Sequence, residues 1–221
     1  GTMGNVTVDI TMSLDGFVAG PNQSREHPLG EGAENLHDWV FGLKSFRELH
    51  GETGGETNRD SEVLDEAFDA VGATVMGRGM FGGGKGPWGS DPSFDDPWEG
   101  WWGDDPPYHG PVFVLTHHAR EPVAKQGGTT FTFVTDGIEA ALDQAQAASE
   151  GKDILIAGGA NAIQQYLEAG LIDELQIHVV PQLLGDGERL FENLGVELPE
   201  LEAIRVIESP KVTHLKYRVV K

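Results

Sequence analysis

Residues 153–167 read DILIAGGANAIQQYL. A short apolar run, Ile154 to Ala157, meets the glycine pair Gly158-Gly159. A helical pattern then opens, with Ala160, Ile163 and Leu167 at i, i+3 and i+7 on one face. Strand, glycine turn and helix is the arrangement by which α/β proteins offer backbone N–H groups to an anion. The glycines permit close approach, and the helix start supplies unpaired donors and the positive end of its dipole. A tight turn with no ligand explains the same residues equally well.

Outward from this unit, strand and helix patterns alternate. Val6, Val8, Ile10 and Met12 lie on one side of a strand, with Asn5, Thr7, Asp9 and Thr11 on the other. Glu31 to Leu49 has the spacing of a helix, through Leu36, Trp39, Val40, Leu43 and Phe46. Ser61 to Ala70 is a shorter one, with Ser61 as its N-cap. Thr74 to Met76, Pro111 to Thr116 and Thr129 to Val134 are strands. Thr135-Asp136 is placed to cap the helix carrying Ile138, Ala141, Leu142 and Ala145, and Gly170 to close the next. Leu175 to Val179 is a strand, and Leu201–Ile207 with Val212–Val219 forms a hairpin. The predicted fold is α/β, in three layers. A mostly parallel central sheet carries antiparallel C-terminal edge strands and has helices on both faces. The strands run through the whole length, so residues 1–221 are expected to form a single domain with irregular inserts at about 21–62 and 83–110. The second insert holds Trp88, Trp98, Trp101 and Trp102, and serves either as a substrate lid or as surface decoration.

Composition narrows the function. Acidic residues outnumber basic ones, 36 to 15, for a net charge of −21. That excludes nucleic acid and anionic membrane surfaces, which are held by Lys and Arg. No apolar run reaches the ~18 residues of a membrane span. Gly1-Thr2 ahead of Met3 reads as a cloning remnant, with Met3 the native start. With no charged-then-apolar leader and no cysteine, a cytoplasmic location is expected. No metal site is expected: His117-His118 is the one adjacent histidine pair, and adjacent side chains project apart with no HExxH beside them. Rossmann and P-loop spacings are absent, which disfavours a phosphotransferase.

One turn design occurs three times. A strand ends in small or basic residues at Gly77-Arg78-Gly79, at Thr116-His117-His118-Ala119-Arg120 and at Gly158-Gly159-Ala160-Asn161. Ligands of open α/β sheets sit beyond the carboxyl ends of strands. These ends together could surround a ligand with two or three phosphates, Arg supplying bidentate contacts.

The set Ser13-Leu14-Asp15-Gly16, Val75-Met76-Gly77-Arg78, Val114-Leu115-Thr116 and Ile156-Ala157-Gly158-Gly159-Ala160 resembles the dihydrofolate reductase superfamily. It is most similar to the C-terminal reductase domain of the bifunctional riboflavin-biosynthesis deaminase-reductase, as a stand-alone member. Gly170 to Leu175 and Pro181 to Gly185 carry the same likeness, which fails at the two inserts. The resemblance implies an NADPH-dependent oxidoreductase that transfers a hydride to a small heterocycle, pterin- or pyrimidine-like, as 5-amino-6-(5-phosphoribosylamino)uracil reductases do. It implies that Gly77, Arg78, Gly79, Met80, Thr116, His117, His118 and Arg120 hold the 2′-phosphate and pyrophosphate of NADPH. Gly158, Gly159, Ala160, Asn161 and Ile163 would cradle the pyrophosphate. It also implies a homodimer. Asp15 is the first candidate for a catalytic group, with an Asp-Gly turn residue as the alternative. Asp38 is the second, with a solvated helix-face carboxylate as the alternative. A non-catalytic protein that keeps the fold to bind NADP(H) or another nucleotide is the competing function.

Overall fold

The computed structural model describes residues 3–221. Gly1 and Thr2, read above as a cloning remnant, lie outside the described residues. The strands are β1 (Val6–Ser13), β2 (Phe17–Ala19), β3 (Val71–Gly77), β4 (Pro111–Leu115), β5 (Val123–Ala124), β6 (Thr130–Val134), β7 (Asp153–Gly158), β8 (Glu174–Val180), β9 (Glu188–Arg189), β10 (Glu200–Glu208) and β11 (Thr213–Val220). The helices are α1 (Asp38–Phe41), α2 (Lys44–Leu49), α3 (Arg59–Asp69), α4 (Arg78–Phe81), α5 (Ile138–Ala148) and α6 (Ala160–Glu168).

Nine strands form one sheet in the order β10-β11-β8-β1-β7-β3-β4-β6-β5, and β2 pairs with β9 apart from it. The six strands from β8 to β6 are parallel neighbours, while β10, β11 and β5 run antiparallel at the edges. Alternation along β1 sorts the two faces. Val6, Val8 and Ile10 pack with Ile163, Tyr166, Leu142 and Ala145 of α6 and α5. The second face is covered by Leu36, Trp39, Val40, Leu43 and Leu64, packed with Val180 and Val212.

Two local readings change. The stripe Leu36 to Phe46 faces the sheet as its spacing predicts, but not on one continuous helix. The chain makes turns up to His37, and α1 stops at Gly42 because Leu43 is extended with ψ 140°. Helix α3 begins at Arg59 with Asn58 as its cap. Ser61 is the reciprocal partner of that cap, its Oγ accepting from the Asn58 N–H at 2.8 Å while Asn58 accepts from the Ser61 N–H at 3.0 Å. The cap of α5 is Gly137 at φ 96°, with no side-chain bond, where Asp136 had the better chemistry. Gly170 closes α6 as expected, at φ 71°.

The tryptophan insert is packed rather than loose. Trp98, Trp88, Trp101 and Trp102 cluster with Phe81, Phe131 and Val114 as a third apolar core over β3, β4 and β6.

Candidate functional site

The carboxyl ends of β3, β4 and β7 open into a cleft of about 850 Å³. The size is that of a small-molecule or cofactor site. The predicted turns meet there. A Cβ on Gly77 would stand 3.6 Å from the Ala162 Cβ and 3.7 Å from the Gly158 carbonyl oxygen. The Gly77 and Gly158-Gly159 turns are therefore in van der Waals contact. Gly158 has φ 134°, open to glycine, and its peptide to Gly159 is cis. The Met80 sulfur closes this corner, 3.6 Å from where a Gly158 Cβ would be.

Gly159 is the N-cap of α6 and offers no side chain to the helix start. The Ile163 N–H bonds to the Gly159 carbonyl at 3.2 Å, so the N–H groups of Ala160, Asn161 and Ala162 come before the first helical bond. Ala160, Asn161 and Ala162 line the cleft. Ile163 does not line the cleft: its N–H makes that first helical bond, and its side chain is fully buried in the core beneath. These features fit an anion such as a pyrophosphate: donors face open space, and only glycine leaves the approach clear.

The second strand end is built differently from the expectation. Arg78, Thr116 and His117 line the cleft, whereas His118 and Arg120 do not. Arg78 grips the tryptophan insert. Its Nη1 donates to Thr116 Oγ1 at 3.0 Å, and its Nη2 to the carbonyls of Gly86 at 2.9 Å and Gly83 at 3.3 Å. Its Nε reaches the Gly82 carbonyl at 3.4 Å. The guanidinium plane lies 3.5 Å from the centre of the Trp88 ring. Arg120 stacks on the same ring at 4.7 Å and donates to the Trp98 carbonyl at 2.6 Å. His118 takes part through its backbone: its N–H donates to Thr116 Oγ1 at 3.1 Å, and its carbonyl accepts from Trp88 Nε1 at 2.7 Å. Four of the five N–H groups of Arg78 are thus committed within the chain.

The two candidate acids lie outside the cleft lining. Asp15 is the anchor of a turn. It accepts from Ser13 Oγ at 2.6 Å and from the N–H groups of Leu184 and Gly185 at 3.1 and 2.8 Å. The Ser13 hydroxyl and these amides hold its carboxyl down at about 2. Asp38 is exposed on the first turn of α1, and its neighbour His37 is the residue that faces the cleft.

Spacing along the chain gave no sign of the groups that do face the cleft opposite the glycine turns. Glu188 Oε2 lies 3.8 Å from the position of a Gly159 Cβ. Burial pushes its carboxyl up, and Lys85, another lining residue, draws it back. Glu188 is placed by the two-residue strand β9, whose partner is Ala19 on β2, and a pairing that short leaves no periodic trace. At the far end Ile10, Val18, Pro28, Leu29, Trp101 and Trp102 form apolar walls. Arg25 joins the two walls, its guanidinium 5.3 Å from the Trp98 ring and 5.4 Å from that of Trp101. Among the described residues no cluster of three potential metal ligands occurs.

Comparison with known proteins agrees with this architecture. The RibD C-terminal domain family matches residues 5–215. An uncharacterized protein of Bacillus subtilis (strain 168), YyaP, is 36% identical over 59 residues, which is 27% of this chain and 31% of that protein. The match thus spans under a third of that relative's length. A solved protein of Shewanella sp. PV-4, provisionally assigned to riboflavin biosynthesis, superposes with a TM-score of 0.62 at 22% identity over 98% of this chain and 99% of its own. The Thermotoga maritima diaminohydroxyphosphoribosylaminopyrimidine deaminase/5-amino-6-(5-phosphoribosylamino)uracil reductase gives 0.55 at 12% identity, over 99% of this chain and 57% of its own. Enterococcus faecalis dihydrofolate reductase, solved with NADP(H), gives 0.50 at 14%, over 100% and 99%. At these identities the superpositions establish the fold.

Proposed function

The chain belongs to the RibD C-terminal domain family, and from that premise we propose that it is an NADPH-dependent reductase of a small heterocycle, pterin- or pyrimidine-like. One observation carries the reading. Gly77 and Gly158-Gly159, distant in sequence, meet at the mouth of the same cleft beneath the uncapped start of α6. That arrangement suits the pyrophosphate of a dinucleotide.

In this reading the Ala160 and Asn161 N–H groups receive the pyrophosphate, with Gly77, Gly79, Met80 and Gly158 as its floor. Thr116 and His117 border the adenosine end, where Arg78 keeps one N–H free. NADPH, when bound, supplies the hydride. The chain's own part is to position the acceptor, exclude water and manage a proton. Trp101, Trp102, Leu29 and Ile10 exclude water from a flat ring. Glu188 is the carboxyl of the cleft lining and the residue assigned the proton; burial raises it, and Lys85 draws it back. Asp15 serves by tying Ser13 to the segment at Leu184, which sets the loop over the acceptor.

We read the whole chain as one domain and propose a cytoplasmic location; among the described residues no helix is long and apolar enough to cross a membrane. We also propose a homodimer through β10, where Leu201, Ile204 and Val206 are exposed in a row on an edge strand. Light scattering decides that point. A non-catalytic NADP(H)-binding protein is the reading favoured by one fact: both carboxylates first expected to be catalytic stand outside the cleft. Titration with NADPH, followed by NADPH oxidation with pterin, pyrimidine and quinone acceptors, separates the two. No binding at millimolar NADPH sinks both readings, and binding without turnover of any acceptor sinks the enzyme.

A further inference from the structure

On the sheet face covered by α1 to α3, four titratable side chains form an unbroken line. Asp9 of β1 accepts from His178 Nε2 at 2.8 Å, His178 Nδ1 faces His214 Nδ1 at 2.7 Å, and His214 Nε2 faces Asp60 Oδ1 at 2.6 Å. Strand register builds the line. His178 and His214 are direct partners across β8 and β11, and Thr11 of β1 stands opposite His178. Asp60 enters from the first turn of α3, at 7% exposure, and both histidines are 1% exposed. Trp39 caps the pair, its ring 4.8 Å from His178 and 5.3 Å from His214, fixed by a 3.0 Å bond from Nε1 to Thr11 Oγ1.

Proton counting gives this line its property. Each of its three contacts needs one hydrogen between two lone pairs. Two neutral imidazoles supply only two. We propose that Asp9, His178, His214 and Asp60 form one proton-holding unit that retains a third, extra proton at neutral pH and fastens α1 and α3 to the sheet only while it does.

The surroundings say where the extra proton sits. Burial would raise Asp9, yet the charge and hydrogen bond of His178, with a bond from Gln176, hold it below the usual carboxylate range. Burial lowers His214, an effect its bond to Asp60 only partly offsets. Asp9 is therefore the ionised end of the line, and His214 is held toward its neutral form. The other charges around the line are balanced among themselves. Arg205 of β10 bonds the Gln176 side chain at 3.1 Å and Glu66 of α3 at 2.9 Å, and Lys216 of β11 faces Glu66 and Glu174. His37 precedes Trp39 by two residues and lines the cleft. Burial lowers it first, and the charge of His178 lowers it further. The unit thus lies behind the cleft wall, with Trp39 against it and His37 on the cleft side.

The sign of the effect follows. A free histidine releases its proton near pH ~6.5. A unit that retains the extra proton above that point contributes stability below its folded-state titration and loses that contribution as pH rises through it. Loss leaves one buried contact with two lone pairs and no hydrogen. Asp60→Asn removes this penalty, since the amide accepts from His214 when the proton is present and turns to donate when it has left.

The test needs the intact chain and no ligand. Long-range proton–nitrogen NMR of histidine-labelled protein is expected to show one hydrogen shared between the two Nδ1 atoms and both Nε2 atoms protonated at neutral pH. Urea unfolding between about pH 7 and about pH 10 is expected to show the wild type weakening on the alkaline side, and Asp60→Asn losing much less over the same interval. Two rings that titrate independently at the free-histidine value overturn the proposal. So does an alkaline loss of equal size in the wild type and Asp60→Asn. The NMR measurement on the wild type decides the matter even if the variant does not fold.

Discussion

Arg78→Ala distinguishes a clasp from a phosphate receptor. In the structure the guanidinium makes two well-placed bonds, at 2.9 and 3.0 Å, two long ones at 3.3 and 3.4 Å, and a stacking contact 3.5 Å above Trp88. Hydrogen bonds from a charged donor contribute up to ~1.5–3 kcal/mol each, and a partly exposed group realises less, so the two good bonds are given ~1 kcal/mol apiece and the long ones little. The cation–π contact adds ~1 kcal/mol. The total is about 3 kcal/mol, and in a chain of this size each kcal/mol moves Tm by ~2–4 °C, which predicts a fall of ~6–12 °C without ligand. NADPH and NADH affinities of the folded variant then fall together, because the wall of the cleft has loosened for both. Thermal unfolding of ligand-free protein and parallel titrations with the two dinucleotides give the answer. A phosphate receptor behaves in the opposite way: NADPH loses about 10–100-fold, NADH is unchanged, and Tm without ligand stays within ~2 °C. That outcome refutes the clasp.

Four further substitutions probe the cleft and the acids beside it. Gly159→Ala keeps its fold, since φ is −72° and the new methyl's nearest neighbour would be Glu188 Oε2 at 3.8 Å, but the methyl blocks the approach to α6, so NADPH binding weakens by at least about tenfold with Tm unchanged; full affinity would remove the cradle from the argument. Glu188→Gln lowers turnover of any acceptor found while sparing NADPH affinity, and Asp38→Asn changes neither, as steady-state kinetics on the pair would show. Asp15→Asn destabilises the chain at neutral pH by releasing the Leu184–Gly185 amides. Its carboxyl is held down at about 2, below the ordinary ~3.9, so the stability it adds is present above the unfolded value and is lost as pH falls toward 2. Wild type and variant should therefore converge in acid urea titrations, and a gap that stays constant to the lowest pH would show that the carboxylate is not the cause.

What the chain shows in its sequence depends on whether backbone or side chain does the work. The parallel strands, the face assignment of β1 and the glycine turns were all legible, because period and glycine placement are local properties and the backbone that forms them is the backbone that lines the cleft. Ile163 illustrates the limit within that success: the resemblance implied it at the cradle, but its N–H closes the first helical bond and its side chain is claimed by the core. Groups that act across elements were illegible. Glu188 reaches Gly159 because β9 pairs with β2 for two residues. Arg78 looks like a phosphate ligand until the insert supplies three carbonyls and an indole to occupy it. Asp9, read as a polar strand position, and Asp60, left outside the helix that the spacing began at Ser61, become the two ends of a proton line only when β1, β8, β11 and α3 converge. The two misplaced acids fit the same rule. An Asp in a turn satisfies local backbone donors first, as Asp15 does, and one on a helix face beside a buried Trp is turned outward by that burial, as Asp38 is. The carboxylate left free for chemistry in this cleft is the one whose sequence neighbours are engaged elsewhere: Arg189 lies over the Phe17 ring, and Glu188 stands among the lining with Lys85 and against a glycine.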